Sequence, residues 1–371
     1  MPVTFKFRGD QVGSLLRPPA LLDARRRAET GEISTEELWE AENEAIAAAV
    51  KMQKEAGLDV FTDGEFRRAD FRAGIVDAFD GITAKEFQMP WHGPDGMVKL
   101  PGTAYIVSGR LQQRRRITEG EAGFLRSVTS RNIKMTLIAP GFVSEHFWRD
   151  GVTDKVYDSR EELGAEIAAF MRAEVEALFA EGVRYVQFDN PAYSEFLSSH
   201  IWSGDGAGEK DDVFARMLAA DAAAVDGVQR PEGASIGMHV CRGNNSSRWL
   251  AEGGYDPIAE RLFGSLPVDR FLLEFDDDRA GGFEPLRYVP QGKVVVLGLV
   301  STKTPQLEDV DEVVARIDEA AQYVDIDNLA VSPQCGFASV AKGGNKLSQQ
   351  DQFRKLRVVA DAAISAWGLE G

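Results

Sequence analysis

The sequence predicts an α/β fold: a closed (β/α)8 barrel of the TIM type with an antiparallel insertion after the second strand, formed as one domain over residues 1–371. Three observations carry that prediction. About eight short apolar runs recur along the chain, most of them followed by a helical pattern, and alternation of this kind specifies a parallel sheet. Runs such as VVVLGLV at 294–300 are apolar without a break, which suits strands buried on both faces. A helix–glycine–strand pattern recurs in KEAGLDVFTDGE and FAEGVRYVQFDNP, and each unit ends in a polar group at its strand's C-terminal end. The competing open, doubly wound sheet usually carries a glycine-rich phosphate fingerprint after its first strand, and none is present.

Taken in order, residues 12–18 (VGSLLRP) read as a short strand turning into a loop closed by Pro18, with a helix over about 20–28. A capping box at 34–37 (STEE) opens a long alanine-rich helix, and Gly57 sits where a helix-ending glycine belongs. A strand at 59–62 ends in the polar run DGEFRR. Residues 74–131 hold Pro, Gly and alternating stretches such as TAYIVSGRLQ without a long helical period, and read as the inserted antiparallel excursion, which carries Trp91 and His92. The βα rhythm then resumes. Strands are expected at 134–139, 185–188, 235–241, 270–275, 294–300 and 328–332. Helices are expected from 158 or 159 to 182, and at about 211–228, 256–263, 307–321 and 347–367.

Composition narrows the function. A net charge of −17 argues against nucleic acid or an anionic membrane surface as partner. No apolar run approaches the ~18 residues of a membrane helix, and the start MPVTFKFRGD lacks the apolar centre of a signal peptide. A cytoplasmic protein acting on small molecules is expected. Its two cysteines, Cys241 and Cys335, are then not expected to form a disulfide.

In a (β/α)8 barrel the C-terminal strand ends converge on one mouth. The polar residues predicted there are Ser14, Asp63, Glu65, Asp189, Asn190, His239, Cys241, Glu274, Asp276, Lys303 and Cys335. His239 and Cys241 share a strand face, because side chains alternate with period two. Glu274 is a lone carboxylate in the apolar run FLLEF and needs a partner. With Cys335 these make a four-donor metal set, and thiolate with imidazole favours zinc over magnesium or calcium. Two thiolates and a carboxylate leave such a zinc poorly suited to hydrolysis. They suit it to binding a substrate thiol and keeping it a nucleophilic thiolate, so alkyl transfer to sulfur is the expected chemistry.

The motifs VGSLLRP, TDGE, FDNPA, MHVCRGN, LLEFD and PQCGFAS, in this order, resemble the catalytic domain of cobalamin-independent methionine synthase, and more closely its short bacterial relatives. That resemblance implies a zinc-bearing barrel that transfers a methyl group to homocysteine, with a methylfolate as donor. It implies His239, Cys241, Glu274 and Cys335 as zinc ligands and Gly13 and Ser14 as the homocysteine loop. Glu65 and Asp189 become the carboxylates that hold the amino acid's ammonium, and Trp148 the aromatic that stacks on the folate. Plainer readings exist: a solvated cluster of Glu65 with Arg67 and Arg68, a turn-starting Asp189, a capping Ser14, a core Trp148. His146 and His200 are assigned no role.

The chain departs from the full-length pattern where that pattern carries a catalytic histidine after the seventh strand. STKTP stands there, so Lys303 is the candidate catalytic residue, as a general acid if burial lowers its pKa or as an anion anchor. Two other functions fit the residues: alkylation of another thiol on the same kind of zinc, such as coenzyme M with an epoxide, and a non-catalytic barrel with a structural zinc. An arginine such as Arg17 or Arg279 at the thiol's polar end would favour a sulfonate.

Overall fold

A computed structural model of the chain describes residues 7–93, 96–197, 207–338, 340–341 and 345–368. In chain order the elements are α1 (Pro19–Glu29), α2 (Thr35–Ala56), α3 (Ala73–Ala78), β1 (Phe79–Gly93), β2 (Gly96–Gln113), α4 (Glu121–Val128), β3 (Lys134–Ile138) and α5 (Pro140–His146). Then follow α6 (Arg160–Ala180), β4 (Tyr185–Asp189), α7 (Ala207–Val225), β5 (Ser235–Val240), α8 (Ala259–Ser265), β6 (Arg270–Glu274), β7 (Val294–Val300), α9 (Val310–Ala320), β8 (Leu329–Pro333) and α10 (Gln349–Trp367). Strands β3 to β8 form one parallel sheet in sequence order. None of the described helices is long and apolar enough to cross a membrane.

Two short segments close the ring. Gly9 bridges Val331 of β8, with Asp10 N donating to Val331 O at 2.9 Å and Val331 N to Arg8 O at 2.9 Å. Phe61 bridges Ile133 beside β3, and Asp59 N donates to Gly9 O. The fold is therefore the expected (β/α)8 barrel, with its first two strands reduced to isolated bridges. The first of them lies at Gly9, before VGSLLRP rather than within it. Leu15 and Leu16 are apolar because they are buried in the main core, not because they belong to a strand.

Local signals explain the helices. Ser34 caps α2 in a reciprocal box with Glu37, and Gly57 ends it at φ 87°, a conformation that costs glycine no Cβ clash. Ser159 caps α6 through Glu162 N. The insertion is a long hairpin, β1 paired antiparallel with β2 from Phe79↔Gln113 to Gly93↔Gly96. Helix α3 overlaps the start of the span that shows no long helical period, and α4 lies within it. The longer of the two, α4, has only eight residues, too few to show a sustained period. The hairpin's tip reaches the barrel rim: His92 N donates to Trp249 O at 2.8 Å and Trp249 N to His92 O at 3.1 Å.

The main apolar core lies between the sheet and the outer helices. Inside the barrel, Leu272, Val296 and Ala330 form one apolar layer. Beneath the mouth the interior is polar, with Lys134 Nζ 2.8 Å from Asp10 Oδ1 and the Tyr185 hydroxyl donating to Asp10 Oδ2 at 2.9 Å. Glu274 lies two residues beyond Leu272, and so takes the same inward face at the strand's end.

Candidate active site

The ends of three strands, β5, β6 and β8, bring His239, Cys241, Glu274 and Cys335 together, with one donor atom from each lying within 4.8 Å of the others. The two sulfurs are 3.4 Å apart and both cysteines are free thiols. His239 Nε2 is 4.0 Å from Glu274 Oε1. Neither ring nitrogen of His239 has a hydrogen-bond partner, although the residue is 2% exposed. A buried imidazole left this way costs free energy unless something else takes a lone pair, and a bound cation does so. The surrounding groups prepare the donors. Gly243 N donates to Cys241 Sγ at 3.2 Å, Arg242 N to Glu274 Oε1 at 2.8 Å, and Gln334 Nε2 to Glu274 Oε2 at 3.4 Å.

Electrostatics describe the same place as a concentration of negative charge. Burial lifts the Glu274 carboxyl to about 7, and Cys335 adds to the shift. Burial pulls His239 down, but Cys335, Asp189 and Glu274 outweigh it and hold the imidazolium up to about 9. The Cys241 thiol is pushed up by its neighbour Cys335, whose own sulfur is held low by Cys241 and His239. The contact thus pushes the two sulfurs in opposite directions; the set as a whole could hold a metal ion.

Beside this set lie two buried carboxylates. Asp189 pairs with His239 in the β4–β5 register, and Gln187 Nε2 donates to its Oδ1 at 2.8 Å. Burial raises Asp189 to about 7, and Glu65 and Cys335 contribute to the rise. Glu65 is 6% exposed and accepts from the Thr136 hydroxyl at 2.9 Å, while burial raises its pKa. It is no solvated surface residue. Arg68 is equally buried, tied to Thr136 and Glu121. Gly13 faces Glu65, and a Cβ there would stand 2.6 Å from Glu65 Oε1. Ser14 is buried against the Cys335 loop: Phe337 N donates to Ser14 O at 2.8 Å, and Gly336 has no room for a Cβ because of Ser14 Oγ.

Lys303 is 5% exposed, and its ammonium donates to Gly243 O at 3.2 Å and Arg248 O at 3.4 Å. Its positive charge acts on Glu274, Cys335 and Asp276. Trp148 has other company. Its indole donates to Asp150 at 2.7 Å and Arg160 lies over its ring, both on the α5–α6 side. His146 pairs with Glu195, and His200 lies outside the described residues. Sequence reasoning passed over Thr136, Gln187, Arg242, Thr302 and Gln334. Gln187, Arg242, Thr302 and Gln334 were marked only by adjacency to, or face-sharing with, residues already singled out, and Thr136, in β3, carried no mark at all.

Over residues 8–364 the chain matches the family described as cobalamin-independent synthase, catalytic domain. The chain belongs to the cobalamin-independent methionine synthase family. It is a methyltransferase of the methionine synthase type. The uncharacterized protein YxjG of Bacillus subtilis is 38% identical to this synthase relative over 370 residues, 97% of this chain and 95% of that one. The methionine synthase of Pyrococcus abyssi is 27% identical over 331 residues, 88% and 85% of the two chains. A crystal structure from Listeria monocytogenes, of a protein proposed to be a vitamin-B12 independent methionine synthase, aligns with TM-score 0.75 at 29% identity and 98% coverage of both chains.

Proposed function

We propose that this family member is a zinc-dependent S-methyltransferase that converts homocysteine to methionine, with 5-methyltetrahydrofolate, mono- or polyglutamyl, or a related carrier as methyl donor. The observation that carries the reading is the four-donor set lying directly beside a buried carboxylate pair. His239, Cys241, Glu274 and Cys335 would hold zinc, which keeps a substrate sulfur ionised at neutral pH. The chain's own residues supply the rest. Glu65 and Asp189 receive the acceptor's ammonium, and their raised pKa values mark a site that gains from a cation. Gly13 and Ser14 form the wall beside them. The acceptor sulfur bonds to the methyl carbon as the carbon–nitrogen bond of the donor breaks, and the departing nitrogen takes a proton. Lys303, with two of its three protons on carbonyl oxygens, has one left for that purpose. Trp148 is assigned to the donor's ring.

A sulfonate thiol such as coenzyme M suits these surroundings less. Arg17 spends its terminal nitrogens on the carbonyls of Ala338, Glu65 and Arg68, and Arg279 is bound to Asp277 and stacked on Trp249. The carboxylate pair would repel a sulfonate. The tests are metal analysis and transfer assays. About one zinc per chain is expected, lost in Cys335→Ser. Methyl transfer is expected to homocysteine and not to coenzyme M, and methylfolates should be compared with methylcobalamin. A chain that stays zinc-free after refolding with the metal would sink the mechanism.

A further inference from the structure

We propose that Gln334 is a positioning residue of the metal centre: its carboxamide is a strut from Thr302, on the loop after β7, to the carboxylate of Glu274. This rests on the metal-binding reading above and extends it to groups that do not touch the ion. Gln334 is 1% exposed. Its Oε1 accepts from Thr302 N at 2.8 Å and from the Thr302 hydroxyl at 2.7 Å, and its Nε2 donates to Glu274 Oε2 at 3.4 Å.

The amide can stand only one way round. Both lone pairs of its oxygen are matched to donors of Thr302, and reversal would set the NH2 group against those donors. The NH2 group therefore always faces Glu274. The other carboxylate oxygen is fixed by Arg242 N and lies on the His239 side. Each oxygen of Glu274 thus has one assigned partner, so the carboxylate plane is set before any metal arrives.

The backbone gives the strut no slack. Gln334 N donates to Val300 O at 2.8 Å. A Cβ on Gly298 would lie 2.7 Å from Gln334 Cα and 2.8 Å from Leu273 O, so only glycine lets the end of β8 seat this closely on β7 and β6. Gln334 also precedes Cys335, and Thr302 precedes Lys303. One amide therefore links three consecutive strand ends, two of which present metal donors.

A side chain that merely fills space would leave metal affinity untouched. The test compares full-length wild type with Gln334→Met, Thr302→Val and Thr302→Ser, measuring zinc affinity by chelator competition and the visible absorption of the cobalt(II) form. Gln334→Met, of similar volume, should weaken zinc about 10–100-fold, the usual effect of removing a partner of a ligand, and shift the cobalt bands. Thr302→Val should weaken it less, and Thr302→Ser should restore wild-type behaviour. Should Gln334→Met not fold, the Thr302 pair reads the same strut from its other end. Wild-type affinity and spectrum in a folded Gln334→Met, or in Thr302→Val where that is the readable variant, overturn the proposal while leaving the metal reading standing. A wild type that binds no zinc overturns both.

Discussion

Glu65 stands at φ +56°, a left-handed conformation that a glutamate rarely adopts. Its neighbours impose it. Glu65 N donates to Asp63 Oδ1, Arg17 donates to Glu65 O, Thr136 holds the carboxylate, and Gly13 leaves the space the carboxylate fills. Such strain persists only where it is over-determined. Gly13→Ala is therefore expected to displace the carboxylate and raise the KM for the acceptor by roughly tenfold or more, with zinc content unchanged; an unaltered KM would mean that Glu65 does not touch the acceptor. Asp189 makes a prediction about pH. Its carboxyl titrates near 3.8 when unfolded and is raised to about 7 in the fold, first by burial. Between those values the folded chain holds the extra proton, so this group's contribution to stability falls as pH rises from about 4 to about 7. In thermal melts of metal-free protein, the advantage of Asp189→Asn over wild type should grow across that interval. A pH-independent difference would show that Asp189 is solvated. The sequence disclosed both carboxylates as strand-end residues. It did not disclose their environment: Arg67 and Arg68 beside Glu65 have the composition of a surface cluster, but α2 covers Arg67 through Trp39, Glu42 and Asn43, while Thr136 and Glu121 of α4 hold Arg68.

At the scale of elements, helices with strong end signals were the most legible. The box at Ser34 and the glycine at Gly57 bracket α2 as expected. Long apolar strands such as β7 were also plain, since burial on both faces leaves no room for polar residues. The first strand was not, because it is reduced to a bridge at Gly9 that draws its pairing from distant Val331, whereas the second, also only a bridge, falls at Phe61 within the expected 59–62. The hairpin was legible as an excursion, but where it goes was not, since no local pattern encodes a contact between His92 and Trp249. That contact matters because the loop from Cys241 to Trp249 carries a candidate metal donor and offers Gly243 O and Arg248 O to Lys303. His92→Pro deletes the N–H that reaches Trp249 O. Faster amide exchange over 243–249 with little change in Tm is the expected result. Unchanged exchange there would show the tip to be a passive neighbour.

For the molecule as a whole, the question is whether the metal makes the fold or the fold makes the metal site. Small zinc domains unfold without their ion because nothing else holds the ligands. Here the donors sit at the ends of β5, β6 and β8, in a closed ring with an extensive apolar core outside it and its own apolar layer within. A second buried system, Lys134 with Asp10 and Tyr185, braces the interior independently of the mouth. The ligand cluster is therefore an expense that the barrel carries: two thiols, a carboxylate and an imidazole gathered out of water at one place. Chelation should leave the far-ultraviolet dichroism of the chain essentially unchanged while lowering Tm. Added zinc should restore Tm in proportion to the logarithm of its free concentration, worth about 4 kcal/mol at a thousandfold excess over Kd. Collapse of the dichroism on chelation would instead make the metal a structural partner of the barrel, and the open, thiol-activating role assigned to it would lose its main support.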